Sequence, residues 1–516
     1  MSPPDVTVVV PVYNTMPYLT ATLDSLIRQS IGLDRLEVVA VDDGSTDGSG
    51  PELDRYAERY RDVIRVVHQP NSGGPAKPCN VGLAAAEGRY VFFLGADDYL
   101  GDEALERLVR KADEWQSDVI CARIVGVGGR WVNQVLYTQD RRDVPFPSAE
   151  LASALSNTKL FRRSLLTEHG ITYAQDLKVG SDQPFTIEAM LHAQRVSVLG
   201  DYDYYYAVKR DDGSNITYSS DWRARLAGIS AIVEHIAQVV GPGEGRDLVL
   251  GRHFSGEIAT LMRRDFVEVG EDEQAELVDA VDGLASRYLT EPMLPRLRVL
   301  VRWRFLLARE RRLSDLDALA GLDERPAALT VVGHEAQLRY PGLPDSPAGP
   351  GDRLGLHLRA ALAAPQVEVN GTALDVLAPI SLEPGSSPVA RLAVSGVRDG
   401  NNPPPRSHLL EQRPGLAVAP ATYSEGALAG RIDLAGLLAE GRGPTSVGLR
   451  VQFDIGERTY GVPLPAARAQ DSEVRAAQDR PLVTVRADRD DNTVVDLERR
   501  PRSVQDRLRA RWGRNK

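Results

Sequence analysis

Glu37-Val38-Val39-Ala40-Val41-Asp42-Asp43-Gly44-Ser45-Thr46-Asp47 is an apolar run that ends abruptly in acids and turn formers. A short, almost unbroken apolar run reads as a strand buried on both faces, the habit of parallel sheets. The same texture recurs on both sides of it. Val6–Val10 is a β-branched run closed by Pro11, and Ile64–Val67, Tyr90–Leu94 and Val119–Val125 are further runs. Between them lie stretches with helical periodicity. Tyr18–Gln29 carries the stripe Leu19, Leu23, Leu26 and Ile27, and Ser49–Tyr60, Asn80–Ala86 and Glu103–Trp115 follow. Strands alternating with helices at this spacing predict βαβ units and a Rossmann-like, mainly parallel sheet. In such sheets ligands bind beyond the carboxyl ends of the strands. That rule selects four loops, 11–14, 42–47, 69–77 and 95–99.

The surroundings set limits. The 516 residues suit about three domains. Lys and Arg number 61 against 72 Asp and Glu, a net charge of −11, which speaks against a nucleic-acid surface spread over the whole chain. Two cysteines, Cys79 and Cys121, are too few for a disulfide framework or a cysteine-based zinc site. No run approaches 18 apolar residues and no basic-then-apolar leader precedes Val6. The expectation is a cytoplasmic location.

Two of the four loops hold paired carboxylates. Asp97-Asp98 at a strand end suits a hard divalent cation, Mg²⁺ or Mn²⁺, shared with a diphosphate. The plain alternative is a solvated turn. Asp43 suits a hydrogen bond from a base N–H, whereas Asp47 or Ser49 suits the cap of the next helix. The loops say more together than apart. Pro11-Val12-Tyr13-Asn14, Val41 to Asp47, Asn71-Ser72-Gly73-Gly74-Pro75 and Phe93-Leu94-Gly95-Ala96-Asp97-Asp98 follow one another in the order that resembles family 2 glycosyltransferases of the GT-A fold, over roughly residues 5–220.

The resemblance implies transfer of a sugar from a UDP-sugar, with a divalent metal. It implies that Pro11, Tyr13, Asp43 and Asn71 hold the nucleoside and that Asp97 meets metal and diphosphate. The family's usual third Asp, two positions before Asp97, is here Gly95. Cys79 stands where many relatives carry Arg, and Lys77 is the candidate to replace that charge. Gly180-Ser181-Asp182-Gln183-Pro184 opens a helix, and the resemblance makes Asp182 the catalytic base. On spacing alone, Asp182 reads first as a helix cap with Pro184 in the first turn, and the resemblance reverses that preference. Tyr204 to Thr217 resembles the family's aromatic strand and mobile basic loop, so Lys209, Arg210 and Ser214 are expected over the diphosphate.

Residues 1–220 are thus expected to form the catalytic domain and 221–325 a helical linker. Arg296–Arg312 holds seven arginines and one acid, with Leu297, Leu300, Val301, Phe305 and Leu306 interleaved. Such a helix suits an anionic polymer or the inner face of a membrane, or else pairs with acids of its own chain. Residues 326–490 carry short alternating runs with turn signals, predicting an antiparallel β-sandwich module of one or two sandwiches. A basic tail, 491–516, closes the chain; its stretch Arg502–Trp512 suits a short amphipathic helix or a disordered terminus. The layout resembles bacterial enzymes that glycosylate wall teichoic acid, the poly(ribitol-phosphate) N-acetylglucosaminyltransferases. That implies UDP-N-acetylglucosamine as donor, an anionic polyol-phosphate acceptor, and a homotrimer built through an immunoglobulin-like C-terminal module.

Overall fold

A computed structural model describes residues 3–177, 179–210, 221–320, 322, 328–340, 346–347, 358, 361–363, 365–370, 373–382, 386–396, 417–424, 427–434, 446–455, 458–465, 482–487 and 493–498. Ser214 and the tail from 499 onward lie outside the described residues. The chain divides into two compact units, Met1–Arg296 with Val301–Ala320, and Leu297–Leu300 with Gly321–Lys516.

The first unit is built on β1 (Val6–Val12), α1 (Leu19–Ile27), β2 (Leu36–Asp42), α2 (Ser49–Arg59), β3 (Ile64–His68), α3 (Ala76–Ala85) and β4 (Tyr90–Phe93). β1 sits between β2 and β4 and runs parallel to both, with Val9 opposite Val39 on one side and Phe93 on the other. Val8, Val9 and Val10 are fully buried, as a run apolar on both faces requires. Next come β5 (Tyr99–Leu100), α4 (Ala104–Trp115), β6 (Val119–Ala122), β7 (Ile124–Val127), α5 (Ala149–Ala152), β8 (Lys159–Arg162), α6 (Arg163–Glu168), α7 (Asp182–His192), β9 (Val196–Leu199) and β10 (Tyr205–Val208). The main sheet has the order β3-β2-β1-β4-β8-β6-β9, with β8 antiparallel to its neighbours β4 and β6. A small second sheet, β5-β10-β7, rides beside the carboxyl end of β4.

The single strand expected over Val119–Val125 is two strands in two sheets. Arg123 is the break: its N–H bonds Leu199 of the main sheet, and its carbonyl accepts the amides of Tyr204 and Tyr205 leading into β10. α3 lies against β1 at Gly82, where a Cβ would come 2.3 Å from Val9 Cγ1. Gly82→Val adds three carbons where one does not fit. The expected loss is about 3 kcal/mol, seen as a lower denaturant midpoint at unchanged m.

The helical region is α8 (Trp222–Val239), α9 (Glu244–His253), π-turns at Phe254–Ile258 and Leu261–Asp265, and α10 (Glu271–Tyr288), followed by helices at Val299–Arg309 and Leu313–Ala320. The arginines at 296–312 are not a free cationic face. Arg296 pairs with Glu244, Arg309 with Asp282, Arg311 with Asp279, and Arg312 with Asp315, while Arg304 is buried and donates to the Leu319 carbonyl. Of the two readings of this segment, these contacts fit pairing with acids of the same chain. No described helix is long and apolar enough to cross a membrane.

Among the described residues the second unit is antiparallel β structure in sheets of four and nine strands, with one short parallel pairing between Val332–Gly333 and Ser387–Pro388. Within the stretch expected to be β structure, strands form at Ala328–Gly333, Gln366–Asn370, Ala390–Gly396, Ser446–Ile455 and Arg458–Pro463. Ser446–Ile455 pairs with Ala390–Gly396, Arg458–Pro463 and Thr493–Glu498, and alternate residues Leu449, Val451 and Phe453 form its buried face.

Candidate active site

The carboxyl ends of β1, β2, β3 and β4 meet along one edge, and the loops there are cross-braced. Asn14, held at φ 48°, accepts the Thr46 amide on its side-chain oxygen and donates its own amide to Ser45. Tyr13 beside it is 47% exposed, an aromatic face offered to solvent. Pro11 is half-buried in β1. Asp43 is buried: Gln69 donates to one of its oxygens at 2.5 Å, and the amide and hydroxyl of Ser72 donate to the other at 3.0 and 2.8 Å. A carboxylate can accept about four bonds, so Asp43 retains capacity for a base N–H. Asn71 is exposed and folds its oxygen back onto the Gly73 amide; Lys77 is exposed on the first turn of α3. Gly44, at φ +78°, lies where a Cβ would strike the Asn71 amide at 2.8 Å. Asp47, rather than Ser49, receives the bonds at the start of α2: the Ser49 amide and hydroxyl donate to it, as does the Met16 amide.

Asp42 bonds the Ser45 amide with one oxygen and His68 Nδ1, at 2.9 Å, with the other; His68 Nε2 meets Asp54 at 3.0 Å. These two carboxylates raise the His68 pKa. Its stabilising contribution is thus complete below the unfolded value of about 6.5 and is lost as pH rises through the raised folded value. His68→Gln should therefore lower the denaturation midpoint most in mildly acidic solution, with the gap to wild type closing as pH rises.

The two neighbouring acids after β4 have different surroundings. Asp98 is buried. Its oxygens accept the Tyr205 hydroxyl at 2.5 Å and the Val208 amide at 2.7 Å, with Arg130 at 3.6 Å. Burial first, then the Asp97 charge, pushes its pKa up to about 6. Asp98 thus clamps the second sheet to this loop. Asp97 is half-buried, and Arg210 Nε donates to its Oδ2 at 2.7 Å; its Oδ1 takes no hydrogen bond among the described residues. Arg210 also lies 6.0 Å over the Tyr18 ring, joining the loops after β1 and β4. Lys209 is exposed, its amide bound to the Val127 carbonyl. At Gly95 a Cβ would meet Asp98 Oδ2 at 2.9 Å, Asp97 Oδ1 at 3.2 Å and the Tyr205 hydroxyl at 3.3 Å. A side chain at this position would have to displace one of these three side-chain ends.

Asp182 is the first residue of α7, and Ser181 in the cap position makes no side-chain capping bond. The helix is pinned to the end of β4 by rings: Phe93 lies 5.4 Å from Phe185 and 5.2 Å from Tyr173, and Tyr173 stacks on Phe185 at 4.2 Å. The helix is also tied to α3, which carries Lys77: Asn80 of α3 donates to the Tyr173 carbonyl and accepts the Tyr173 amide, and Tyr173 stacks on Phe185 of α7. Burial pushes the Asp182 pKa up. A bond from its own amide, and the charges of Lys159 and Arg252, oppose the rise, and Glu257 adds to it.

Lys159, Arg252, His253 and Glu257 escape a reading by motif. Lys159 is buried at the start of β8, and burial lowers its pKa. The one available signal was a pair of polar residues at four-residue spacing, His253 and Glu257. Of the tryptophans, Trp115 packs against the core and Trp131 is 68% exposed. His169 ends α6 stacked 4.0 Å from His192.

The model of glycosyl transferase family 2 matches residues 7–172, which hold every donor-side loop from Pro11 to Asp98. Over these residues the chain is similar to that family. Beyond the family 2 domain, residues 223–320 match the glycosyl transferase TarS linker domain. The chain is 40% identical over 204 residues to the poly(ribitol-phosphate) β-N-acetylglucosaminyltransferase TarS of Staphylococcus aureus, covering 40% of this chain and 35% of that one. It is 39% identical over 206 residues to the poly(ribitol-phosphate) β-glucosyltransferase of Bacillus spizizenii, covering 40% and 32%. The matched stretch thus spans about a third of these relatives' length. The crystal structure of S. aureus TarS 1–349 in complex with UDP-GlcNAc is similar with a TM-score of 0.57 at 29% identity, covering 67% of this chain and 100% of that one. A longer TarS structure shares the fold over 97% of this chain and 86% of its own, with a TM-score of 0.59 at 22% identity.

Proposed function

We propose that the protein is an inverting glycosyltransferase that moves N-acetylglucosamine from its UDP-sugar to a poly(ribitol-phosphate) teichoic acid. The observation that supports this reading is the single edge on which Asp43, Asp97 and Arg210 are braced, with Asp182 at the head of α7, the helix tied to α3. Asp43 accepts from the base, with Pro11, Tyr13 and Asn71 around the nucleoside. Lys77, Lys209 and Arg210 offset the charge of the diphosphate. Asp182 takes the proton of the acceptor hydroxyl as that oxygen attacks the anomeric carbon; the bond to UDP breaks and the centre inverts.

A divalent cation fits this site in one mode. Mg²⁺ and Mn²⁺ shared with a diphosphate need only one or two carboxylates, with phosphate and water completing the shell. Asp97 Oδ1 is the available ligand, and no cluster of three His, Cys, Asp or Glu able to hold a metal occurs among the described residues. Bound there, the ion would stabilise the charge that builds on the leaving diphosphate.

The test is UDP release from a panel of UDP-sugars offered with poly(ribitol phosphate) in Mn²⁺, Mg²⁺ or chelator. Metal-dependent release from UDP-N-acetylglucosamine is the expected result, and preference for UDP-glucose would change the sugar alone. No release and no metal-linked UDP binding would overturn the reading.

A further inference from the structure

We propose that Glu257, on the π-turn that follows α9, is a positioning residue for Asp182, acting through Gln183 and Arg252. This rests on the reading of Asp182 as proton acceptor. Gln183 follows Asp182 in the first turn of α7, and both ends of its amide are held. Its oxygen accepts from Arg252 Nη1 at 3.0 Å, and its nitrogen donates to Glu257 Oε1 at 3.3 Å. Arg252 Nη1 also reaches both Glu257 oxygens, at 2.9 and 3.0 Å, so the three groups close a ring. His253, fully buried, donates from Nδ1 to Glu257 at 2.6 Å and fixes the carboxylate from behind. The turn before Asp182 is sealed as well: Gly180, at φ +76°, lies where a Cβ would meet Ile232 of α8 at 2.9 Å. A π-turn shifts the helical register by one residue, and such turns often mark functional positions.

The ring also sets charge. The groups that act on Asp182 are Lys159 from β8, Arg252 and Glu257 from α9 and its π-turn, Cys79 from α3 and Tyr173 from the segment before α7. Burial would raise the Glu257 pKa, but the His253 bond and the Arg252 charge hold it down to about 2, so it is an anion at any working pH. An anion bound to Arg252 cancels most of that cation's pull on Asp182 and leaves Asp182 the more basic.

Glu257→Gln keeps the shape and removes the charge. Arg252 then acts alone, the Asp182 pKa falls, and the acidic limb of the kcat/KM profile moves down by about one pH unit. Arg252→Gln moves it in the opposite direction, and Glu257→Asp restores the wild-type limb. Turnover is measured with UDP-N-acetylglucosamine and poly(ribitol phosphate). A readout independent of turnover is NMR titration of aspartate-¹³Cγ-labelled protein, with the Asp182 signal assigned by its loss in Asp182→Asn. Opposite shifts from the two variants are the expected result. An unmoved titration in Arg252→Gln, and in Glu257→Gln where that variant folds, means packing alone and overturns the proposal. Asp182→Asn that still turns over sinks the base reading instead, and the NMR titration then decides the network by itself.

Discussion

Asp182→Asn is expected to lower kcat by about 10²–10⁴-fold while leaving UDP-sugar affinity unchanged, the range that a positioned general base contributes. The substitution is close to isosteric, so Phe93, Tyr173 and Phe185 keep α7 where it is. Asp182 is the first helical residue rather than the cap, so no capping bond is lost and the thermal midpoint should hold. What disappears is an acceptor for the hydroxyl proton. The wild-type enzyme should gain activity with pH through a value above the ordinary carboxylate figure of about 3.9, because burial raises this group. Single-turnover kinetics with calorimetric donor binding separates the two effects, and turnover within a few-fold of wild type would remove Asp182 from the mechanism.

Asp97→Asn is expected to cost about 10²–10³-fold in kcat/KM, comparable to removing one preorganised electrostatic contact at a developing charge. It should also erase any dependence of UDP affinity on Mg²⁺ or Mn²⁺. Asp97 has one oxygen on Arg210 and the other without a protein donor among the described residues, so the loss falls on ligand rather than fold. Its neighbour behaves otherwise. Asp98 spends both oxygens on Tyr205 and Val208, and removing it strands two donors where the sheets join. A metal-insensitive wild-type enzyme, or an Asp97→Asn variant with wild-type kcat/KM, would count against the donor-side assignment.

The parallel core was legible because its signal is local. Val6–Val10 and Glu37–Val41 are apolar on both faces, and no other common element tolerates that in so short a run. The donor loops were legible because they follow those strands directly. The split at Arg123 was not, because it depends on which carbonyls and amides lie across the sheet. Nor did composition reveal the fate of the arginines at 296–312. Whether such a helix faces a polymer or Asp279 and Asp282 is decided by tertiary packing. The network around Gln183 joins positions 69 and 74 residues apart in sequence, and no window holds it.

Gly95 lies at the crowded centre of this loop. The space for a side chain there is filled by Asp97, Asp98 and the Tyr205 hydroxyl, and the Gly95 amide itself donates to that hydroxyl at 3.2 Å. An acid engineered here, as in Gly95→Asp, would trade contacts rather than simply add one. The new carboxylate would press on two like charges and on the Tyr205 hydroxyl, and those side-chain ends must turn aside before it could serve as a ligand.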